Sequence, residues 1–209
     1  MDNLSNHFCI PLCLFISGAA ENLENTMTAY HHALNMGTEM LELDVRLTAD
    51  KQVVVCHDDD LSRVTDTEYN ISDFNYKDLP PLMKRLNVQF QPGVTCDVKN
   101  DDCRIPLLES VFEAFPNIPI NVDIKTNSDV LIDKTHELIC KYNRKDLTVW
   151  GNFSKEVTDK CYKKDPEIPI MFSMKRCAAL VLLFYTGLLP FIPIKESFLE
   201  IMLPVTMIR

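Results

Sequence analysis

The chain has 209 residues, 46% of them hydrophobic and 24% charged, a composition that suits one globular domain with a sizeable core and excludes a disordered segment. A formal net charge of −9 without any block of Lys or Arg excludes a groove that tracks a nucleic-acid backbone. The eight cysteines are scattered, with neither a C-x-x-C pair nor a His spacing that suits zinc, and read as reduced thiols rather than a disulfide framework.

In chain order, "FCIPLCLFISGAA" (8–20) is apolar and has the length of a signal-peptide core, but no basic residue precedes it, and it reads equally as a first buried strand. Leu23, Met27, Tyr30, Ala33 and Leu34 then recur at helical spacing up to a stop at Gly37. A strand is predicted over 39–45, a polar turn "TADKQ" follows, and a second strand covers 52–56. Residues 60–105, with Pro80-Pro81 and Pro92-Gly93, predict loops and short helices. Regular alternation resumes with a helix in "LLESVFEAFP" and a strand in "IPINVDIKT". A helix over 128–142, strand "LTVWG", a helix over about 153–163 and strand "IPIMFSM" complete it. The alternation predicts a parallel sheet. With no Gly-rich nucleotide loop, the expected fold is a (β/α)8 barrel of the TIM type, incomplete, with about six βα units. The final "IMLPVTMIR" supplies neither missing unit. Sequons at Asn3, Asn70 and Asn152 would report topology only if that face met the secretory lumen.

The segment 177–194, "CAALVLLFYTGLLPFIPI", holds eighteen uncharged residues between Lys175-Arg176 and Lys195. Gly187, Pro190 and Pro193 interrupt it, which disfavours a straight spanning helix and leaves two readings, a buried core helix or one lying in a membrane interface with its flanking cations snorkelling.

Glu42 and Asp44 stand two apart in a strand and face one side, whereas Leu41, Leu43 and Val45 face the other. Two neighbouring buried carboxylates are relieved by a shared proton or by a hard divalent cation; the plain alternative is a strand end whose acids reach solvent. His57 ends the next strand, at the kind of rim where barrel enzymes gather catalytic groups. Asp123 and Lys125 repeat the spacing at the end of another strand, where Asp123 can complete an oxygen ligand set and Lys125 can face a phosphate. His31, His32 and His136 fall in helices and read as exposed or satisfied; His7 precedes any ordered pattern.

Together "ENLENT", "ELDVRLTADKQVVVCHD" and "VDIK" resemble the glycerophosphodiester phosphodiesterase family, and "LTVWGN", "IPIMFS" and "GLLPFIPI" resemble its membrane-associated lysophospholipase D branch. The resemblance covers about 18–205. It implies a hydrolase dependent on a divalent metal cation, Mg or Ca, with Glu42, Asp44 and Asp123 matching metal ligands. His57 matches a catalytic histidine that is also offered to the metal, and Lys125 joins it in the catalytic set. Implied substrates are a lysophospholipid, cleaved to lysophosphatidic acid, or a glycerophosphodiester. The implied location is a membrane, endoplasmic reticulum or perinuclear, or the cytoplasm if the apolar segments are core. Two departures stand out. Residues 1–17 are an atypical apolar segment, and "FISGAAEN" (15–22) puts Phe15 and Ile16 where the family's H-R-G-G-x-x-E-N has His and Arg. Residues 18–209 form a partial domain lacking the last two βα units. The expectation is a phosphodiesterase of reduced or absent activity, and the alternative a non-catalytic membrane-associated pseudoenzyme that binds metal and headgroup.

Overall fold

A computed structural model describes residues 14–16, 22–87, 95–97 and 103–200. Strand β1 (Leu14–Ile16) pairs parallel with β2 (Met40–Leu47), and α1 (Met27–Asn35) connects them. The Thr26 side chain accepts a hydrogen bond from the Ala29 amide and caps α1, while Gly37, at φ +92°, takes the left-handed turn that stops it. The loop after β2 is closed by Thr48 donating its amide to the Gln52 carbonyl at 3.1 Å. So short a connection cannot cross over to a parallel neighbour, and β3 (Val53–Val55) returns antiparallel along the end of β2.

The excursion that follows holds three 3-10 turns and a small antiparallel ribbon of β4 (Arg85–Asn87) and β5 (Thr95–Asp97). Helix α2 (Leu108–Ala114) leads into β6 (Ile120–Ile124), which lies parallel beside β2. Then come α3 (Asp129–Lys141), β7 (Thr148–Gly151) parallel to β6, and α4 (Lys155–Lys164). Parallel bridges from Trp150 to Ile170 and from Met171 to Phe198 extend the wall, with α5 (Met174–Tyr185) between the last two positions.

The wall therefore runs β1, β2, β6, β7, Ile170-Met171, Phe198, which is six neighbouring positions of a (β/α)8-type barrel. The number matches the expectation, but two members differ. Strand 52–56 is a hairpin partner outside the wall, and the sixth position comes from the chain near Phe198. The predicted strand "IPIMFSM" is reduced to single bridges at Ile170 and Met171. The atypical segment expected over 1–17 lies outside the described residues except for the backbone of 14–16, and "IMLPVTMIR" lies wholly outside them.

Alternation sets the layers. Leu41, Leu43 and Val45 of β2 and Ile120, Val122 and Ile124 of β6 are buried in one cluster with Tyr30, Phe112, Leu131 and Ile139 of the helices. Each such side chain contributes about 1.5–3 kcal/mol by leaving water. The alternate residues Glu42, Asp44, Asn121 and Asp123 face the opposite side, into the barrel.

Helix α5 breaks this pattern. None of its residues is buried, and Val181, Leu182, Phe184 and Tyr185 are exposed, followed by exposed Leu188, Phe191 and Ile194. The reading of 177–194 as a core helix is thereby corrected: its apolar residues face solvent, and none of α5 is buried. Among the described residues no helix is long and apolar enough to cross a membrane. Two of the three flanking cations are committed within the chain, Arg176 to Glu196 at 3.0 Å and Lys195 to Asp159 at 2.9 Å.

Arg144, after α3, is 1% exposed. Its guanidinium donates to the carbonyls of Phe115 at 2.8 Å, Pro116 at 2.9 Å and Ile118, and lies 4.7 Å from the Phe112 ring centre. Burial brings its pKa down to about 10. The cation thus ties the α2–β6 loop to the end of α3, so β6 enters the wall in register. Arg144→Met should leave these carbonyls unpaired and cost about 2–4 kcal/mol, read as a lower urea midpoint.

Candidate metal centre

Glu42 and Asp44 are 4% and 2% exposed, so they are not strand-end acids reaching water. The β2–β6 register sets Glu42 beside Asn121 and Asp44 beside Asp123. One carboxylate oxygen from each of Glu42, Asp44 and Asp123 lies within 4.8 Å of the others. Lys125 bridges two of them, its Nζ 2.8 Å from Asp44 Oδ1 and 2.7 Å from Asp123 Oδ2. Two amides aim the acids: Asn25 Nδ2 donates to Asp44 Oδ2 at 2.9 Å, and Asn152 Nδ2 donates to Asp123 Oδ1 at 2.6 Å. Asn25 is itself oriented by the Tyr30 hydroxyl, which donates to its Oδ1 at 2.9 Å.

Fully ionised, three carboxylates and one ammonium leave an excess of two negative charges. Like charges about 4 Å apart repel by about 4 kcal/mol at an effective dielectric of 20, so the cluster is under electrostatic load. Burial raises the pKa of Asp123 even though Lys125 opposes the rise. Burial also works against the Lys125 charge, yet Asp44 and Asp123 hold its ammonium well above the ordinary lysine range. An all-oxygen donor set with two charges in excess fits a hard divalent cation.

A fourth carboxylate borders the group. Asn121 Nδ2 donates to Glu200 Oε2 at 3.0 Å, and burial, then the charges of Asp123 and Asp44, push the Glu200 pKa up to about 7. Asn121 Oδ1 is buried with no hydrogen-bond partner among the described residues.

His57 stands at the edge of this centre. The preceding Cys56 amide donates to the Asp44 carbonyl at 2.9 Å, and Arg46 Nε donates to the His57 carbonyl at 2.9 Å. His57 Nδ1 is 2.7 Å from Asp58 Oδ1. An ionised carboxylate only accepts, so Nδ1 carries the hydrogen and Nε2 is the basic nitrogen. Burial opposes the Asp58 charge, but His57 and Arg63 hold its pKa below the usual carboxylate value. Arg63 also pairs with Glu24. His57 lines a crevice with Glu24, Asn25, Cys56 and Leu82, and burial pushes the Cys56 thiol up to about 12, too high for a nucleophile.

Of the residues singled out from sequence, Glu42, Asp44, Asp123 and Lys125 meet; His57 is tied to them through the Cys56–Asp44 backbone hydrogen bond and is not one of the three converging ligands. The backbones of Phe15 and Ile16 pair with Leu41 and Glu42, so the two departing positions lie on the strand beside the acids. Asn25, Asn121, Asn152 and Glu200 were not anticipated. Asn152 had a signal, an amide directly after a predicted strand end. It is reached through Gly151, at φ +150°, where a Cβ would come within 2.8 Å of Met171 Cγ.

This geometry matches known proteins. The model of the glycerophosphoryl diester phosphodiesterase family matches residues 17–184, and the chain belongs to that family. Human lysophospholipase D GDPD1 is 56% identical over 90% of this chain, and human lysophospholipase D GDPD3 is 37% identical over 94%. The chain spans 59% and 61% of their respective lengths. Among solved structures, an Oleispira antarctica phosphodiesterase in complex with sn-glycerol-3-phosphate aligns with a TM-score of 0.65 at 23% identity, over 85% of this chain and 72% of that one. A glycerophosphoryl diester phosphodiesterase domain from Mycobacterium tuberculosis gives 0.67 at 16% identity, over 85% and 65%. At such identities the structural likeness establishes the barrel fold.

The Glu200 shift has a definite sign. A folded-state pKa of about 7 against an ordinary 4.5 means that the folded protein holds a proton that the unfolded chain releases. That contribution is complete below pH 4.5 and is lost as pH rises through about 7. Metal-free protein should therefore lose stability from pH 5 to pH 8 relative to Glu200→Gln, in paired urea titrations.

Proposed function

We propose that the chain is a phosphoric diester hydrolase of lipid metabolism that works with a divalent cation held by Glu42, Asp44 and Asp123. The observation that carries this is the convergence of three buried carboxylates with two negative charges in excess, bridged by Lys125. The names of the relatives support a lysophospholipid or glycerophosphodiester as substrate. Mg and Ca both suit oxygen-only ligands.

When bound, the cation would polarise a phosphoryl oxygen. Lys125 offers its ammonium to a phosphate oxygen, moving from the carboxylates it now bridges. His57, fixed by Asp58, holds Nε2 as the group that takes or gives a proton. Asn25 and Asn152 keep Asp44 and Asp123 turned toward the centre. Phe15 and Ile16 supply neither the second acid/base group nor the cationic donor that the family pattern has there, and loss of one such group costs about 10²- to 10⁴-fold. This favours a second reading, a protein that binds metal and headgroup with little turnover.

Titration of the purified chain with MgCl2 and CaCl2 should show one site, absent from the Glu42→Gln, Asp44→Asn double variant. Retained binding there would overturn the assignment. Turnover of a lysophospholipid should be weak in this chain and in its Phe15→His, Ile16→Arg variant, and strong once that variant also carries the last two βα units of a relative, since about 1 Å of misplacement costs roughly 10²-fold. Strong activity in the unmodified chain would remove the reduced-activity reading.

The exposed apolar face of α5 and the turn after it supports contact with a lipid surface. The chain should sediment with phosphatidylcholine vesicles and stay bound in high salt, because apolar burial is not screened. Replacing Leu182, Phe184 and Phe191 by Ser should release it; sedimentation unchanged by that replacement would exclude this face.

A further inference from the structure

On the outside of the barrel, behind β7, a second constellation draws together side chains that neither the fold nor the proposed hydrolysis requires. His136 and Cys140 lie one turn apart on one face of α3, and Asp165 ends α4 beside them. His136 Nε2 is 2.9 Å from Asp165 Oδ2 and 3.4 Å from Cys140 Sγ, and one ligand atom from each of the three residues lies within 4.8 Å of the others. From this geometry we infer a zinc site made of His136 Nε2, Cys140 Sγ and Asp165 Oδ2.

The arrangement is not that of a nucleophile relay. In a Cys-His-Asp relay the acid and the thiol engage different ring nitrogens, so that one receives what the other passes on. Here both face Nε2. A single nitrogen has one hydrogen or one lone pair and can satisfy only one of them. An ion at the common focus satisfies all three.

The dimensions agree with zinc. Ligands at about 2.0–2.1 Å for nitrogen and 2.3 Å for sulfur, at a tetrahedral angle, stand about 3.5 Å apart, close to the Nε2–Sγ distance, and the 2.9 Å between Nε2 and Oδ2 needs to open by only about 0.4–0.5 Å on binding. A mixed N, S and O donor set is borderline-soft and selects zinc, whereas the oxygen-only centre inside the barrel selects Mg or Ca. The thiolate and carboxylate together neutralise Zn2+ with a neutral imidazole. Binding expels the Cys140 thiol proton, so affinity rises with pH. Cys140 is exposed, which leaves the fourth position to water.

The other contacts of Asp165 are compatible. The Glu167 amide donates to Oδ1 at 3.0 Å and leaves Oδ2 for the ion. Lys145 Nζ now sits 2.8 Å from Oδ2, and a second carboxylate, Glu167 Oε2, is already 2.7 Å from the same ammonium. Lys145 can therefore yield the oxygen and keep Glu167 as its partner. Occupied, the site clamps α3 to α4 across β7, the strand that leads to Asn152 and its hydrogen bond to Asp123.

Trp150, the single tryptophan, provides a readout, since its ring lies 6.0 Å from the His136 ring. The full chain, metal-free and reduced, is titrated with CoCl2 and then ZnCl2. The expected result is quenching of Trp150 by Co2+ together with a thiolate-to-cobalt charge-transfer band in the near ultraviolet, both reversed by Zn2+. Cys140→Ser should abolish the band, and Asp165→Asn should weaken Zn2+ binding by more than about tenfold. The Glu42→Gln, Asp44→Asn variant should keep both signals. Absence of the band in the parent, or its persistence in Cys140→Ser with an unchanged circular dichroism spectrum, would overturn the site. Because Cys140 is exposed, its replacement tests the ligand and not the fold.

Discussion

Three carboxylates held out of water around one ammonium form the constraint to which much of the structure responds. Asp44 and Asp123 are kept apart and aimed by Lys125, Asn25 and Asn152, and each helper is fixed by an element of its own. Asn25 belongs to the segment that caps α1, and Asn152 follows a glycine that alone tolerates the close approach of Met171. Lys125 continues β6, where its amide bonds to the Val45 carbonyl at 3.3 Å. A cluster loaded in this way is costly for the metal-free fold and receptive to a divalent cation.

What sustains that cost is the apolar layer on the other side of the same two strands. Each step of β2 and β6 alternates between helix-facing Leu, Val and Ile and barrel-facing acids or amides. A shift of either strand by one residue would put the acids into the helix layer. Register is therefore set by the core, and Arg144 secures it at the entry to β6 by occupying the carbonyls of the preceding loop. The catalytic potential of the interior and the stability of the exterior are two faces of one pattern.

The outer surface carries two further features of different chemistry. Helix α5 spends its apolar residues on solvent, with Arg176 and Lys195 turned back into intramolecular pairs, so a lipid surface would meet mainly hydrocarbon there. Behind β7, nitrogen, sulfur and oxygen donors gather where the interior offers oxygen alone. The two candidate ion sites are thus distinguished by their donor atoms, and β7 with Asn152 is the physical link between them.

Much of this was legible in the sequence because it depends on local period. The two-residue spacing of Glu42 and Asp44 put them on one side of a strand, the repeat at Asp123 and Lys125 did the same, and the helix–strand alternation specified a parallel barrel wall. The five residues 48–52 were also too few for a crossover, and that arithmetic would have removed 53–55 from the wall. Other properties depend on which distant segments meet. Whether 177–194 was core or surface turned on which elements pack against α5, and none of its residues is buried. Glu200 joined the acids because the chain returned to the wall beside Met171, some eighty residues from Asn121. His136 and Cys140, four apart, share one face of a helix, but two residues do not make a site, and their third partner, Asp165, approaches from another helix. Periodicity fixes which side of its own element a residue faces; only packing of the elements against one another decides what it faces there.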